Sequence, residues 1–189
     1  VRGPLNVARP VQAHPIIAQA GPSEPGKELA ARTADVVFTA QVTLEDAKAF
    51  YDDVRGRMPR YGRSPDHIRI MPGIRYVLGR TESEAKERYD MMLAEASVEG
   101  ALKSVQRLCG DLDIRKYDLD GPLPDLPPSN AAKARQKMMI DLARRENLSI
   151  RELARRFTFS LGHMVYVGTP RGLADFMEDW FTNDACDGF

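Results

Sequence analysis

The stretch "HPIIAQAGPSEPGKELAARTADVVFTA", residues 14–40, places a short apolar run, a turn, an alanine-rich segment and a second apolar run in direct succession. We predict short buried strands over residues 14–20 and 35–40, because each is a brief apolar run bounded by turn residues. Between them, Ser23 or Glu24 is predicted to cap a helix. Two buried strands joined by a helix are typical of a parallel α/β sheet.

The same alternation continues along the chain. Thr43 is predicted to open a second helix, and "IRIMPGIRYVLG", residues 68–79, is predicted as a third strand that Pro72 and Gly73 interrupt. Thr81 then opens another helix with a capping-box spacing. This order of elements fits either a doubly wound sheet or part of a (β/α)₈ barrel, since a complete barrel needs about 250 residues.

Residues 98–130 break the alternation, because they are rich in Asp, Pro and Gly, and we predict an inserted excursion there. Two helices are predicted next, over residues 131–146 and from a cap at Ser149. The segment 162–170 is predicted to be extended, and Thr169 is predicted to cap a final helix.

Composition excludes several classes of function. Lys plus Arg equals Asp plus Glu at 27 each, so bulk charge does not favour a nucleic-acid or membrane-surface partner. No stretch approaches the ~18 apolar residues of a membrane span, and no signal peptide is visible. Cys109 and Cys186 fit no metal or redox spacing, which indicates a reduced, cytoplasmic setting and no metal site.

Both ends of the sequence are unusual for a natural domain. The chain starts at Val1 without an initiator Met and stops at "DACDGF", where the pattern predicts the start of a new apolar element. We therefore expect the 189 residues to be a piece of a longer chain.

Five blocks of the sequence, in order, resemble the flavin-dependent monooxygenases of the bacterial luciferase-like superfamily, in the branch of the nitrilotriacetate and dibenzothiophene-sulfone monooxygenases. The blocks are "GPLNVARPVQAHPIIAQAGPSEPGKELAARTADVVFTA", "MPGIRYVLGRTESEAKERY", "LDGPLPDLP", "DLARRENLSIRELARR" and "GHMVYVGTPRGLADFMEDWF". They cover nearly the whole chain, which makes the resemblance specific.

The resemblance implies a partial TIM (β/α)₈ barrel, with residues 1–189 as the C-terminal part of the barrel domain. Pro15–Ala20, Asp35–Ala40 and Ile68–Val77 would be strands five, six and seven. Cys186–Phe189 would begin strand eight, and residues 98–130 would form an inserted lid.

The resemblance also implies a function. Such an enzyme uses reduced FMN and O₂ to oxygenate a small organic substrate, and a separate NAD(P)H-dependent flavin reductase supplies the reduced flavin. It can form a homo-oligomer, and the fragment alone would be inactive. Two alternatives are a truncated fragment without catalysis and an α/β module that binds phosphate.

The loop after the first strand carries the implied cofactor residues. The resemblance assigns binding of the flavin phosphate to Gly21 and Ser23. Gln19 and Ala20 are further cofactor-binding candidates because they end the first strand, and Gln19 could hydrogen-bond an edge of the isoalloxazine ring. Gly21 lets the backbone approach a phosphate, Ser23 offers a hydroxyl donor, and the following helix supplies backbone N–H groups and its dipole. The alternative is that Ser23 only caps its helix.

The ends of later strands carry the remaining candidates, since barrel active sites lie at the C-terminal ends of strands. Phe38 and Ala40 are candidates for the wall of the substrate pocket, with core packing as the alternative for Phe38. His163 is a candidate catalytic residue that could bind substrate or steer a proton, although most single histidines do neither. His14 and His67 are interpreted as structural residues.

Overall fold

The computed structural model describes residues 3, 6–110, 112–126 and 133–189. Within these residues the strands are short, and they lie at Ala18–Ala20 (β1), Val36–Thr39 (β2), Arg69–Pro72 (β3), Ile74–Leu78 (β4) and Met164–Gly168 (β5). The α-helices lie at Glu24–Thr33 (α1), Leu44–Arg57 (α2), Glu82–Glu95 (α3), Val98–Leu108 (α4), Lys133–Arg145 (α5), Ile150–Ser160 (α6) and Pro170–Thr182 (α7). No helix in these described ranges is long and apolar enough to cross a membrane.

Side-chain caps fix where most of the helices begin. In each case a hydroxyl oxygen accepts a hydrogen bond from a backbone N–H in the first turn, which satisfies a donor that the helix leaves unpaired. The predicted caps are confirmed at Ser23, Thr43, Thr81, Ser149 and Thr169. At α6 the cap is a reciprocal capping box between Ser149 and Glu152.

The strands form two parallel sheets. One sheet has the order β1-β2-β3, and the other pairs β4 with β5. The sequence predicts one interrupted strand over residues 68–79, but the structure divides it between the two sheets. The last ladder bond of the first sheet runs from the Gly73 N–H to the Thr39 carbonyl at 2.9 Å, and from Ile74 onwards the chain pairs with β5 instead.

Burial of the first two strands is lower than the sequence predicts. β1 is an edge strand with no buried residue, and the preceding Ile16 is 64% exposed, so the prediction of a buried strand over residues 14–20 is wrong. In β2, Val37 and Thr39 are buried whereas Phe38 is 46% exposed. Successive side chains of a strand point to opposite faces, so only one face of β2 is covered.

Three separate hydrophobic clusters hold the described chain together. The first joins α1 and α2 to β2 and β3. The second surrounds Trp180 of α7 and reaches β5 and the C-terminal residues. The third is purely helical, and it joins α4, α5 and α6 with the segment that precedes α5.

The predicted excursion over residues 98–130 begins with a helix. Ala101, Leu102 and Val105 of α4 are buried in the helical cluster. Further along, the Arg151 N–H of α6 donates to the Leu119 carbonyl at 2.9 Å, so the loop before α5 is attached to α6. Residues 127–130 of the excursion lie outside the described residues.

The predicted start of an eighth strand at Cys186–Phe189 forms no strand in the structure. These residues nevertheless lie beside β3. The Asp187 N–H donates to the Ile70 carbonyl at 2.9 Å, and the Ile70 N–H donates to the Asp187 carboxylate at 2.7 Å. Arg55 of α2 holds the same carboxylate at 2.7 Å, so this end of the chain is fixed to both β3 and α2.

Candidate functional site

The loop after β1 leads directly into the positive end of α1. Gly21 has a φ of 129°, a conformation that favours glycine. The Ser23 hydroxyl oxygen accepts the Gly26 N–H at 3.2 Å, so Ser23 does cap the helix. Accepting a hydrogen bond leaves the hydroxyl proton available for donation to a ligand.

Gly26 lies at the centre of a small concave surface, which we call the cradle and define by Gln19, Gly21, Ser23 and Gly26. A Cβ atom at Gly26 would lie 2.9 Å from the Gly21 carbonyl oxygen, 3.0 Å from the Ser23 hydroxyl and 3.2 Å from Gln19 Nε2. A side chain would therefore fill the cradle. The Ser23 hydroxyl proton and the Glu24 N–H are donors of the kind that a phosphate accepts, whereas Pro25 has no N–H and the Gly26 and Lys27 N–H groups already donate to Ser23.

Gln19 adds an unsatisfied group beside the cradle. Its Nε2 donates to the Ala20 carbonyl at 3.0 Å, whereas its Oε1 is buried and has no hydrogen-bond partner among the described residues. A buried acceptor without a partner costs about 1–3 kcal/mol. A ligand N–H or O–H could satisfy this oxygen.

Phe38 and His163 come together where the two sheets separate. Their ring centroids lie 5.1 Å apart. A Cβ atom at Gly73 would lie 2.7 Å from His163 Nδ1 and 3.0 Å from the Phe38 ring, so glycine is required there by space. The turn of the chain at Gly73 is what brings β5, and with it His163, to the end of β2.

His163 is held in its neutral form. Burial lowers the pKa of its imidazole, and the positive charges of Arg135 and Arg75 lower that pKa further. Its Nδ1 is buried without a partner in the described part of the chain. Near neutral pH, His163 is therefore a neutral hydrogen-bonding group and not a cationic acid.

A cleft of about 650 Å³ is lined by one residue of the cradle, Ser23, and by His163 of the Phe38–His163 pair. It runs between the loops after β1 and β2 on one side and α5, α6 and β5 on the other, and it is lined by Ser23, Ala40 and His163 among others. This volume lies within the range of about 300–1,000 Å³ for small-molecule sites. Three of the residues singled out from sequence thus lie on one cleft.

The remaining candidates lie close to the cleft or away from it. Gln19, Gly21 and Phe38 are not among the residues that line the cleft; Gln19 and Gly21 lie around Gly26 in the cradle, and Phe38 contacts His163. Ala20 contributes only its carbonyl, which Gln19 occupies. Cys109 is fully buried in the helical cluster, and burial raises the pKa of its thiol to about 11, so it is an inert packing residue as predicted.

His14 and His67 both lie outside the cleft lining. His14 Nδ1 contacts the Pro15 carbonyl oxygen at 3.0 Å on the exposed segment before β1. His67 ends a short 3₁₀ helix before β3. Across the described stretches of chain, no group of three or more His, Cys, Asp or Glu side chains could hold a metal ion.

Sequence reasoning missed the contribution of the helical part of the chain. Met138 of α5 and Phe157 of α6 line the cleft, and Tyr89 of α3 reaches it as well. The amphipathic pattern of α5 and α6 was a signal for buried helix faces, but it could not tell which face meets the sheet. Gly26 was missed because nothing local marks it as a contact point.

Comparison with known proteins gives a consistent family. The family model of luciferase-like monooxygenases matches residues 1–184. Nitrilotriacetate monooxygenase component A of Aminobacter aminovorans is 51% identical over 190 residues, which cover 100% of this chain and 42% of that protein. Dibenzothiophene-sulfone monooxygenase of Rhodococcus erythropolis is 30% identical over 193 residues, which cover 100% of this chain and 42% of that protein.

A solved structure agrees with the sequence matches. The crystal structure of DmoA from Hyphomicrobium sulfonivorans superposes with a TM-score of 0.78 and 28% identity, covering 94% of this chain and 37% of that one. The chain spans about two fifths of the length of the curated relatives it matches, and the matched region is their C-terminal part.

Proposed function

Because this chain belongs to the luciferase-like monooxygenase family, we propose that it is the C-terminal part of a two-component, flavin-dependent monooxygenase. The whole enzyme uses reduced FMN and O₂ to oxygenate a small organic substrate. The observation that carries the proposal is that Ser23 of the cradle, Ala40 and His163 line one cleft of small-molecule size.

The cradle holds the FMN phosphate in this proposal. The Ser23 hydroxyl donates one hydrogen bond and the Glu24 N–H at the start of α1 offers another, because Pro25 has no N–H and the Gly26 and Lys27 N–H groups already donate to Ser23. Gln19 lies where a polar edge of the cofactor can satisfy its buried Oε1. When bound and reduced, the flavin supplies the chemistry that activates dioxygen.

The substrate lies along the far part of the cleft. Ala40, Met138 and Phe157 give it an apolar wall, and Phe38 supports this wall through its contact with His163. Neutral His163 orients a polar group of the substrate by hydrogen bonding, and the lowered pKa of its imidazole keeps it from adding a positive charge there.

Partners follow from the same proposal. A relative named as component A implies a second component, and a separate NAD(P)H-dependent flavin reductase is the partner that delivers reduced FMN. The setting is the reducing cytoplasm, in line with two buried, free thiols. In this proposal the 189 residues by themselves are inactive, since they span only 42% of the length of the relatives named above.

The test is an oxygenation assay with the whole protein. The protein is supplied with FMN, an NADH-dependent flavin reductase and ¹⁸O₂, and a panel of sulfones and aminopolycarboxylates is screened for products that gain one labelled oxygen. We expect labelled product only when protein, reductase and flavin are all present. A protein that binds no reduced FMN, as judged by anaerobic titration, would contradict the proposal.

A further inference from the structure

We propose that Arg57 of α2 is a positioning residue for the cradle, because it neutralises Glu24 at the start of α1 and thereby keeps the cradle able to accept a phosphate. This inference rests on the proposed function, in which the cradle binds the phosphate of FMN. Arg57 does not belong to the cleft lining, and it would act only through Glu24.

The need for such a residue arises from the sequence of α1. Glu24 follows Ser23 directly and stands in the first turn of the helix. A carboxylate there stabilises the helix, because it complements the positive end of the dipole. A phosphate in the cradle needs the same positive end, so an uncompensated Glu24 carboxylate would repel it.

The structure compensates this charge with two cations. The Arg57 Nη2 donates to Glu24 Oε2 at 2.6 Å, and Lys27 forms an ion pair with Glu24 Oε1. Both cations are largely buried, with side-chain exposures of 16% for Arg57 and 14% for Lys27, whereas the Glu24 side chain is 70% exposed. The cations are thus fixed by their surroundings, and the carboxylate is drawn to them.

Arg57 is fixed by two further carboxylates. Its Nε and Nη2 donate hydrogen bonds to Asp53, one turn earlier in α2, at 2.6 and 2.9 Å. Its Nη1 donates to Glu28 of α1 at 3.0 Å. Lys27 reaches the same Asp53 at 2.5 Å. The guanidinium therefore bridges α1 and α2 in one orientation. Its planar group of five N–H donors can bind several carboxylates at once, and a lysine ammonium would not reproduce this geometry.

Protonation behaviour agrees with this geometry. Hydrogen bonds from Lys27 and Arg57 hold the pKa of Glu24 below its ordinary value, so the carboxylate is ionised at neutral pH and its charge must be balanced. Hydrogen bonds to Asp53 and Glu24 raise the pKa of Arg57, which remains a cation. The effect on a nearby anion is modest, because Glu24 is exposed and solvent screens it.

The experiment compares two ligands that differ only by phosphate. Reduced FMN and reduced riboflavin are titrated anaerobically into the whole protein carrying Arg57→Gln, Glu24→Gln or both changes. We expect Arg57→Gln to weaken FMN binding about fivefold and to leave riboflavin binding unchanged. Adding Glu24→Gln to Arg57→Gln should restore FMN binding, since the repelling charge is then gone.

Arg60→Gln is the matched control. It removes the same charge from the neighbouring turn, but Arg60 contacts Glu28 at 3.3 Å, does not contact Glu24 and is 62% exposed. We expect it to leave FMN binding unchanged. Should Arg57→Gln fail to fold, Arg57→Lys is the second variant: it keeps the charge but loses the fork that reaches Glu24, so it should weaken FMN binding in the same direction and leave riboflavin binding unchanged, and an FMN affinity equal to that of the wild type would overturn the role of Arg57.

The possible failures are distinguishable. Wild-type protein that binds FMN no more tightly than riboflavin would overturn the phosphate cradle and, with it, the role of Arg57. A wild type that prefers FMN, together with equal FMN affinities for Arg57→Gln and Arg60→Gln, would overturn only the role of Arg57. Loss of FMN and riboflavin binding together, without recovery in the double variant, would leave Arg57 as a purely structural link between α1 and α2.

Discussion

In the proposed function the Ser23 hydroxyl both caps α1 and binds the phosphate of FMN. As a cap, its oxygen accepts the Gly26 N–H at 3.2 Å. As a phosphate ligand, its hydroxyl donates outward. Because a hydroxyl can accept and donate at once, both tasks are compatible in one conformation.

Ser23→Ala in the whole protein should weaken the binding of reduced FMN by about ten- to hundredfold, since one hydrogen bond to a charged group contributes about 1.5–3 kcal/mol. Loss of the cap should also lower the free energy of unfolding by about 1 kcal/mol. Anaerobic titration and thermal unfolding measure the two effects.

Ser97→Ala is the matched control for this prediction. Ser97 caps α4 by accepting the Gly100 N–H at 3.3 Å, and it is exposed like Ser23. It should reproduce the loss of stability without changing FMN affinity. If Ser23→Ala behaves in the same way, Ser23 only caps its helix.

A second prediction concerns Gly73, where His163 and Phe38 leave no space for a side chain. A methyl group there would overlap His163 and the Phe38 ring, so Gly73→Ala should displace both rings and lower kcat/KM. Overpacking of this kind costs about 1–3 kcal/mol of stability. Steady-state kinetics and urea unfolding are the measurements.

Gly56→Ala serves as the control for Gly73→Ala. Gly56 lies on the exposed side of α2 with open space around it, so alanine there should keep kcat/KM and raise the stability of the helix slightly. Equal kinetics for the wild type and Gly73→Ala would show that the Phe38–His163 contact does not matter for catalysis.

At the scale of elements, the helical unit formed by α4, α5 and α6 faces the cradle across the cleft. Its helices share one hydrophobic cluster, and the Ile150 N–H of α6 donates to the Gly121 carbonyl at 3.0 Å. If residues 98–130 act as a lid, the described part of that segment must therefore move together with α6.

Hydrogen exchange on the whole protein tests this lid. We expect residues 98–126 and α5–α6 to gain protection together when reduced FMN and substrate bind, because closure shields the cleft from water. The matched reference is α7, which lies outside the cleft lining and should keep its protection. Equal protection of residues 98–126 in both states would leave a static structural insertion.

Local elements were predictable because their signals are local. A capping hydroxyl and the N–H it accepts lie three residues apart, so Thr43, Thr81 and Ser149 could be recognised in sequence. The pairing of β4 with β5 was not predictable, since it joins Ile74 to Met164 across a long stretch of chain. Such pairing depends on packing between distant elements rather than on propensity.

The candidate site, too, is predictable from sequence only where its residues are neighbours in the chain. The loop after β1 could be located from the strand, glycine and capping serine that follow one another in sequence. The cleft wall could not, because Met138 and Phe157 reach it through the docking of α5 and α6. The required glycine at position 73 is likewise explained only by the approach of β5 to β2.

At the scale of the whole molecule, the polypeptide leaves apolar surface uncovered. Val11 and Ile16 are exposed in the segment that precedes β1, Phe38 is exposed on β2, and β1 is an edge strand of the described sheet. Open edges and contiguous apolar patches favour association with other chains.

We therefore expect the 189-residue polypeptide to self-associate or to unfold without a sharp transition. Analytical ultracentrifugation and differential scanning calorimetry measure these properties, and the whole protein is the control, expected to unfold cooperatively. A monodisperse 189-residue monomer with one sharp thermal transition would contradict the prediction.

We propose above all that the loop after β1 anchors the phosphate of FMN. The most direct measurement is a crystal structure of the whole protein with FMN bound. We predict the phosphate in the cradle, with its oxygens accepting hydrogen bonds from the Ser23 hydroxyl and from the Glu24 N–H at the start of α1. Barrel enzymes commonly bind phosphate after strands seven and eight instead. A phosphate bound at that common site, without contact to Ser23, would contradict the proposal that the loop after β1 anchors it.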